Sequence, residues 1–281
     1  MPLEKRIIKR CEERNIAFEI LFTSAKGDYD FLRAKIEREL ITDIVICGGD
    51  GSLSPIIASL INIKINIGII PLGSGNGLAR TAGIPNNIDK AFEIIFTGKA
   101  ICVDAFLINE KISCHASGLG FDALVAHEFS KQKTRGLSSY TKQALRNFFT
   151  ARTYSFLIEA GDSQFSVEAF LICLANSNQF GNNFKIAPKA SLSDGLIDIV
   201  VIKKTNKLRV VFSFVRQILS GEISHLMAKD FHKKNVLYFQ TSKITIRNPN
   251  LAPLHIDGDP AETAKKFSIE VLPSAYRLIQ P

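Results

Sequence analysis

The chain has 281 residues, enough for two domains with cores of their own, and its 46% apolar and 22% charged residues describe an ordinary globular composition. No run of about 18 apolar residues is present to span a bilayer, and the opening MPLEKRIIKRCEERN alternates charges where a secretory signal has an apolar core, so a cytoplasmic protein is expected. A formal net charge of +8 suits an acidic partner such as a nucleotide or an anionic membrane surface, while five cysteines without a CxxC pair and five scattered histidines argue against a disulfide framework or a zinc site.

From residue 3 to about 96 the pattern predicts helix 3–14, strand 17–22, helix 28–39, strand 43–47, helix 53–62, strand 66–70 and helices opening at Asn76 and Asn87. Short buried strands alternating with helices make a parallel α/β sheet, whose ligands gather at the carboxyl ends of the strands. Two glycine turns stand at such ends. The first, Gly48, Gly49, Asp50, Gly51 and Ser52, interrupts IVICGGDGSLSPIIASLI, with Ser52 expected to cap the following helix and Pro55 to sit in its first turn. The second is Pro71-Leu-Gly-Ser-Gly-Asn-Gly77, containing Gly73, Ser74, Gly75 and Asn76. Glycine turns let backbone N–H groups approach a ligand that a Cβ would keep away, so the pair reads as a cradle for polyphosphate. Asp50 would repel phosphate unless Mg2+ stood between them, which makes it a candidate metal partner.

After Gly98 the texture changes to strand-like runs: ICVDAFLI, ISCHASGLG, TYSFLIEAG, FSVEAFLICLANS, LIDIVVI, VLYFQT, KITIRN and FSIEVL. Two helical inserts, 119–150 and 206–228, interrupt them. The fold class expected is therefore an α/β N-terminal lobe with a parallel sheet over 1–96, then a mainly antiparallel β-sandwich lobe over 97–272. A tail over 273–281 ends the chain, and the site should lie in the cleft between the lobes. Basic residues thicken over Lys131 to Arg146 and over Lys203 to Gln217, the second on an amphipathic helical pattern that could lie on a bilayer surface but more often packs on its own domain with a solvated face.

Two acidic turns lie in this second part. In HIDGDP, Asp257 and Asp259 stand two apart, and alternation along a strand would send both carboxylates to one side, where they could divide acid and base roles. A surface turn is the plain alternative. In ASLSDGLIDIVV, Asp194 and Asp198 flank a turn whose carbonyls near Ser191 and Leu196 could complete an oxygen-rich cation site; taken alone it is a hairpin turn. No GxxxxGK[ST], GxGxxG or kinase HRD/DFG set is present, and nothing in the chain reads as a nucleic-acid motif.

In this order the pieces resemble the diacylglycerol kinase catalytic family, bacterial lipid kinases related to sphingosine and ceramide kinases. GGDGS is similar to its GGDGT, PLGSGNGLAR to its PLGTxNDFAR, ASLSDGLID to its cation-binding turn and IDGD to its DGE, spread over about residues 4 to 272. The resemblance implies an NAD kinase/diacylglycerol kinase-like fold and an ATP-dependent transfer of the γ-phosphate to a membrane-lipid hydroxyl. ATP would be held by Thr23, Gly48, Gly49, Asp50, Gly51, Ser52, Gly73, Ser74, Gly75 and Asn76. It also implies Asp259 as general base with Asp257 in its charge network, Mg2+ bound through Ser191, Asp194 and Leu196, and peripheral contact with an anionic membrane; a homodimer is left open. Three departures stand out. The chain begins at the family's first helix, without the opening strand and its Asn-Pro-x-Ser-Gly loop; Asn76-Gly77 replaces Asn-Asp; and Asp259 replaces Glu, one methylene shorter. Kinases acting on NAD or a sugar phosphate, and a nucleotide- or lipid-binding relative without turnover, are the rival readings.

Overall fold

The computed structural model describes residues 2–24, 27–130, 151–178, 186–206 and 235–281. Helix α1 (Leu3–Glu12) precedes α2 (Phe31–Glu39), strand β1 (Asp43–Gly48), α3 (Asp50–Ser59), β2 (Asn66–Pro71), the short α4 (Gly77–Thr81) and α5 (Ile88–Thr97). β1 and β2 pair in parallel with Gly48 opposite Pro71, so both glycine turns leave the same edge of the sheet. Ile46, Ile67 and Ile69 from the strands and Leu32, Ile36, Leu53 and Ile57 from the helices bury one core. Asn87 caps α5 by accepting from the Lys90 N–H at 3.1 Å.

The second lobe is built on β3 (Lys99–Ile108), β4 (Lys111–Ser113), β5 (Ala116–Gly120), α6 (Phe121–Ser130), β6 (Tyr154–Ala160), β7 (Ser163–Ala175) and β8 (Ile197–Lys203). It continues with β9 (Val236–Thr241), β10 (Lys243–Arg247), β11 (Leu254–Ile256), β12 (Asp259–Ala261) and β13 (Lys266–Gln280). Its pairings are antiparallel, and one inner face gathers Phe106, Phe156, Ile172, Ile199, Ile246 and Phe267. The other face of β7 and β8 packs Phe170, Cys173, Val200 and Ile202 against Phe121 and Val125 of α6. Burial on both faces explains why FLICLA and IVVI run apolar without alternation.

Several expectations are corrected. Residues 17–22 pair with no strand among the described residues, and Ile16, Phe18, Leu21 and Phe22 are exposed, because a strand exists only through a neighbour's hydrogen bonds and β1 pairs only with β2. α3 begins at Asp50 with Gly49 as its cap, so Ser52 is not the cap and Pro55 lies beyond the first turn. The run ISCHASGLG breaks at Cys114 and His115, whose amides bond elsewhere.

The segment expected as a tail is structural. After an irregularity between Leu272 and Tyr276, β13 resumes pairing with the first half of β3, Tyr276 opposite Val103. It also joins β2 in parallel through Arg277↔Asn66 and Leu278↔Ile67. The C-terminal strand thus completes the N-terminal sheet, and one hydrogen-bonded sheet runs through both lobes. The predicted inserts fall mostly outside the described residues: of 119–150 the structure describes 119–130, with α6 at Phe121–Ser130, and of 206–228 only residue 206. The basic stretch Lys131 to Arg146 lies outside them, as does Lys203 to Gln217 apart from 203–206.

Candidate active site

The two glycine turns touch backbone to backbone. A Cβ on Gly49 would stand 2.8 Å from the Cα of Gly73, and one on Gly73 would stand 2.6 Å from the Cα of Gly49 and 2.7 Å from Asn76 Oδ1. The Leu72 N–H donates to the Gly48 carbonyl at 2.9 Å. Only residues without side chains allow this approach. Gly51 and Ser74 are exposed on the resulting rim, where α3 presents the first N–H groups of its backbone. Ser52 packs over Gly48, where a Cβ would meet its own at 2.8 Å.

Asp50 and Asn76 brace this pair of turns. Asp50 Oδ2 accepts from the Gly77 N–H at 3.0 Å and Oδ1 from the Leu78 N–H at 3.2 Å, which fastens the start of α3 to the start of α4. A carboxylate at a helix N-terminus is favoured by the helix dipole. Both oxygens are thus engaged, a different placement from the expected metal partner facing phosphate. Asn76, buried with φ at 52°, accepts from the Gly73 N–H at 2.8 Å and donates to the Gly73 carbonyl at 2.8 Å and to Asn86 at 3.1 Å. Its amide closes the loop, and its left-handed backbone is one that Asn tolerates. Arg80 Nε donates to the Gly75 carbonyl at 3.1 Å. Thr23 stands exposed at the end of the unpaired segment.

From the other lobe comes the β11–β12 hairpin. Its two-residue turn, Asp257-Gly258, has φ of 51° and 90°, the left-handed pair that Asp-Gly turns favour. This corrects the reading of one strand projecting both acids to the same side. Asp257 is buried and accepts from Ser113 Oγ at 2.7 Å and from the N–H groups of Cys114 at 2.9 Å, His115 at 3.0 Å and Ala116 at 3.1 Å. It staples the hairpin to the break between β4 and β5. Asp259 is exposed, and its Oδ2 lies 3.9 Å from the point a Cβ on Gly51 would occupy. The acid of the second lobe and the glycine rim of the first therefore face one crevice.

The Ser191–Leu196 turn is organised by a residue that sequence reasoning missed. Buried Asp104 accepts from the Gly195 N–H at 2.7 Å and, through its other oxygen, from the Ser274 N–H at 2.8 Å in the β13 irregularity. Exposed Asp194 accepts from the Leu196 N–H at 3.1 Å, and Ser191 Oγ from the Ser193 N–H at 3.5 Å. Asp198 is buried beside Tyr238 and Gln240 Nε2; burial raises its pKa, against the effect of those two bonds, and it raises the Tyr238 hydroxyl as well. Among the described residues no group of three or more His, Cys, Asp or Glu side chains could hold a metal ion. The oxygen chemistry of the turn suits a hard cation, with Asp194 as its only carboxylate.

Also unforeseen is a buried polar layer behind the hairpin: His115 bonded to Ser177, Ser117 to Ser113 at 2.9 Å, and His255 against Asp122 at 3.4 Å. One local signal was readable, the Gly118-Leu-Gly-Phe-Asp122 run, because a Cβ on Gly118 would overlap the Asp122 carboxylate outright.

Comparison with known proteins agrees with this architecture. Residues 2–108 match the family model described as the diacylglycerol kinase catalytic domain. Residues 116–280, more than half of the chain, match the YegS C-terminal NAD kinase beta sandwich-like domain. A protein of Shewanella frigidimarina named "Probable lipid kinase YegS-like" is 29% identical over 85% of this chain and 76% of its own. The "Probable lipid kinase YegS" of Salmonella arizonae is 26% identical over 100% of this chain and 91% of its own. A solved structure of a diacylglycerol kinase from Bacillus anthracis superposes with a TM-score of 0.69 at 20% identity, covering 94% of this chain and 85% of that one, a likeness of fold.

Proposed function

The chain belongs to the diacylglycerol kinase catalytic family, in the form joined to a YegS-type C-terminal domain, and from that premise we propose that it is an ATP-dependent lipid kinase. The observation that carries this reading is the meeting of Asp259 with Gly51 across the lobes, an exposed carboxylate aimed at a glycine-lined rim.

ATP would enter as its Mg2+ complex, with the triphosphate against Gly48 to Ser52 and Gly73 to Asn76. Backbone N–H groups and the α3 N-terminus supply positive potential there without a bulky side chain. Asp50 and Asn76 act as positioning residues that keep the two turns in contact. Thr23, at the end of the exposed segment, is a further nucleotide contact of this reading. The lipid hydroxyl attacks the γ-phosphorus, its proton passes to Asp259, and the bond from γ-phosphorus to the bridging oxygen breaks to release ADP. Mg2+ arriving with the nucleotide would supply positive charge beside the phosphate oxygens, and Asp194 with main-chain oxygens of Ser191 and Leu196 would hold a second ion. Asp257 takes no proton in this scheme, since its carboxylate is filled by four donors.

The acceptor is a lipid presented at a membrane surface. A formal charge of +8 supports peripheral contact with anionic bilayers, and no helix among the described residues is long and apolar enough to cross one. Incubation with γ-labelled ATP, Mg2+ and a panel of diacylglycerol, sphingosine, ceramide, NAD and fructose phosphate tests the reading. Label should enter a lipid only. Label in NAD or sugar would change the substrate class, and measurable ATP binding with no labelled acceptor would favour a binding protein without turnover.

A further inference from the structure

The hairpin tip that carries Asp259 is held from inside by an imidazole that the scheme above does not use. His255 lies on β11 directly opposite Gly118 of β5 and opposite Pro260 of β12, and it is buried. Its Nδ1 receives the Gly258 N–H at 3.2 Å. A backbone N–H can only donate, so Nδ1 is the acceptor and the ring proton resides on Nε2, which faces Asp122 Oδ2 at 3.4 Å. Asp122, also buried, is fixed in turn by the Ala123 N–H at 2.9 Å on its other oxygen, and it stands in the space that Gly118 leaves by lacking a Cβ. The order is Ala123 N–H, Asp122, His255, Gly258 N–H, and then the peptide that leads into Asp259.

We propose that His255, oriented by Asp122, is a positioning residue that sets where Asp259 stands in the crevice. Gly258 has open space around its Cα and a left-handed φ of 90°, a position whose peptide swings easily unless its N–H is held. Asp257 is anchored through its own carboxylate, which leaves the far side of the turn to His255. A base must stand within hydrogen-bond reach of the proton it takes, and a shift of about 1 Å costs on the order of 100-fold. The inference rests on the reading of Asp259 as the proton acceptor.

The test compares two replacements of similar polarity. Asn at 255 places an oxygen where Nδ1 stood and keeps an acceptor for Gly258. Gln places its polar group where Nε2 stood, touching Asp122 and leaving Gly258 without one. Transfer from γ-labelled ATP to dioleoylglycerol and to sphingosine in mixed micelles is measured for both, with ATP affinity by titration. His255→Gln should lose about 10- to 100-fold in kcat with the KM for ATP within about twofold, while His255→Asn stays within about threefold of wild type. Equal loss in both, or loss in neither, overturns the proposal.

Asp259→Asn separates the two readings. If that variant keeps turnover, the base assignment fails. If it is inactive while His255→Gln matches wild type, only the positioning role fails. Nitrogen NMR of the wild-type imidazole reads the arrangement without turnover: Nδ1 unprotonated with Nε2–H is expected, and a proton on Nδ1 overturns it.

Discussion

Asp259 Oδ2 lies 3.9 Å from the point where a Cβ on Gly51 would stand, although 208 positions of chain separate the two residues. One belongs to a β-hairpin and the other to the first turn of a helix in the opposite lobe, and the sheet that joins the lobes through β13 holds them together. In the proposed reading, the proton acceptor and the phosphate rim need no large hinge motion to meet.

Replacement of Asp259 by Asn should lower kcat by about 10²- to 10⁴-fold, the range that general base catalysis supplies, and leave ATP affinity nearly unchanged. Steady-state kinetics with labelled ATP, alongside nucleotide titration, checks both halves. Turnover equal to wild type removes Asp259 from the base role.

Asp50→Asn should act on nucleotide binding instead. Its amide would turn a donor toward one of the Gly77 and Leu78 N–H groups, releasing α4 from α3. Charge-assisted bonds of this kind are worth about 1.5–3 kcal/mol, so a rise of at least tenfold in the KM for ATP is expected. An unchanged KM would show that the turns stay in contact without this carboxylate.

Gly73→Ala tests the contact of the turns themselves. The new methyl group would meet the Gly49 Cα, which is backbone, and Asn76 Oδ1, whose buried amide is held by Gly73 and Asn86. A stability loss of about 1–3 kcal/mol is expected from overpacking, together with weakened ATP binding. Gly161→Ala is the control for a glycine replacement without a collision, since that turn has open space; its φ of 54° adds a left-handed strain that Gly73 does not carry. Equal nucleotide affinity in both variants would refute a role for the close approach.

Asp257→Ala should be a stability variant. It strands three amides in a buried place, each worth about 1–3 kcal/mol when left unpaired, and leaves Ser113 Oγ with Ser117 alone. A loss of at least about 3 kcal/mol in urea unfolding is expected. Loss of turnover with unchanged stability would instead mark Asp257 as a participant in the reaction.

Asp198 gives the pH dependence. Burial raises its folded-state pKa above the ordinary value, with the Tyr238 and Gln240 hydrogen bonds opposing and Asp194 adding to the rise. The native protein therefore keeps a proton that the unfolded chain has released. The associated stability is full below the ordinary carboxylate pKa of about 3.9 and is lost as pH rises through the native value. Asp198→Asn cannot ionise, so urea midpoints of wild type should fall relative to this variant as pH rises above about 4. Parallel curves would show that Asp198 titrates alike in both states.

Much of the first lobe was legible because it is local. A short β-branched run ending in glycine and followed by a helix needs no distant partner to be read, and Ile44–Cys47 and Ile67–Ile70 lie in strands, each with its glycine turn at the carboxyl end. The unpaired 17–22 segment shows the limit of that reading, since its residues suit a strand equally well and only neighbouring backbone decides.

In the second lobe the pair of acids in DGD was visible, and so was a turn, but not which acid would be buried. That depended on Ser113 to Ala116 offering four donors to Asp257, a match made by residues more than 140 positions away. Asp104 and His255 carried no signal of their own for the same reason.

By itself the sequence determined the elements, the two glycine turns and the order of the acidic motifs, because each follows from the preferences of neighbouring residues. The tertiary structure alone decided that Gly49 must face Gly73, that Asp257 is a buried staple while Asp259 is exposed at the surface, and that the last strand joins the two lobes. Those outcomes depend on which distant donors, acceptors and edges are brought within hydrogen-bond reach, and that distance is written in no single stretch of chain.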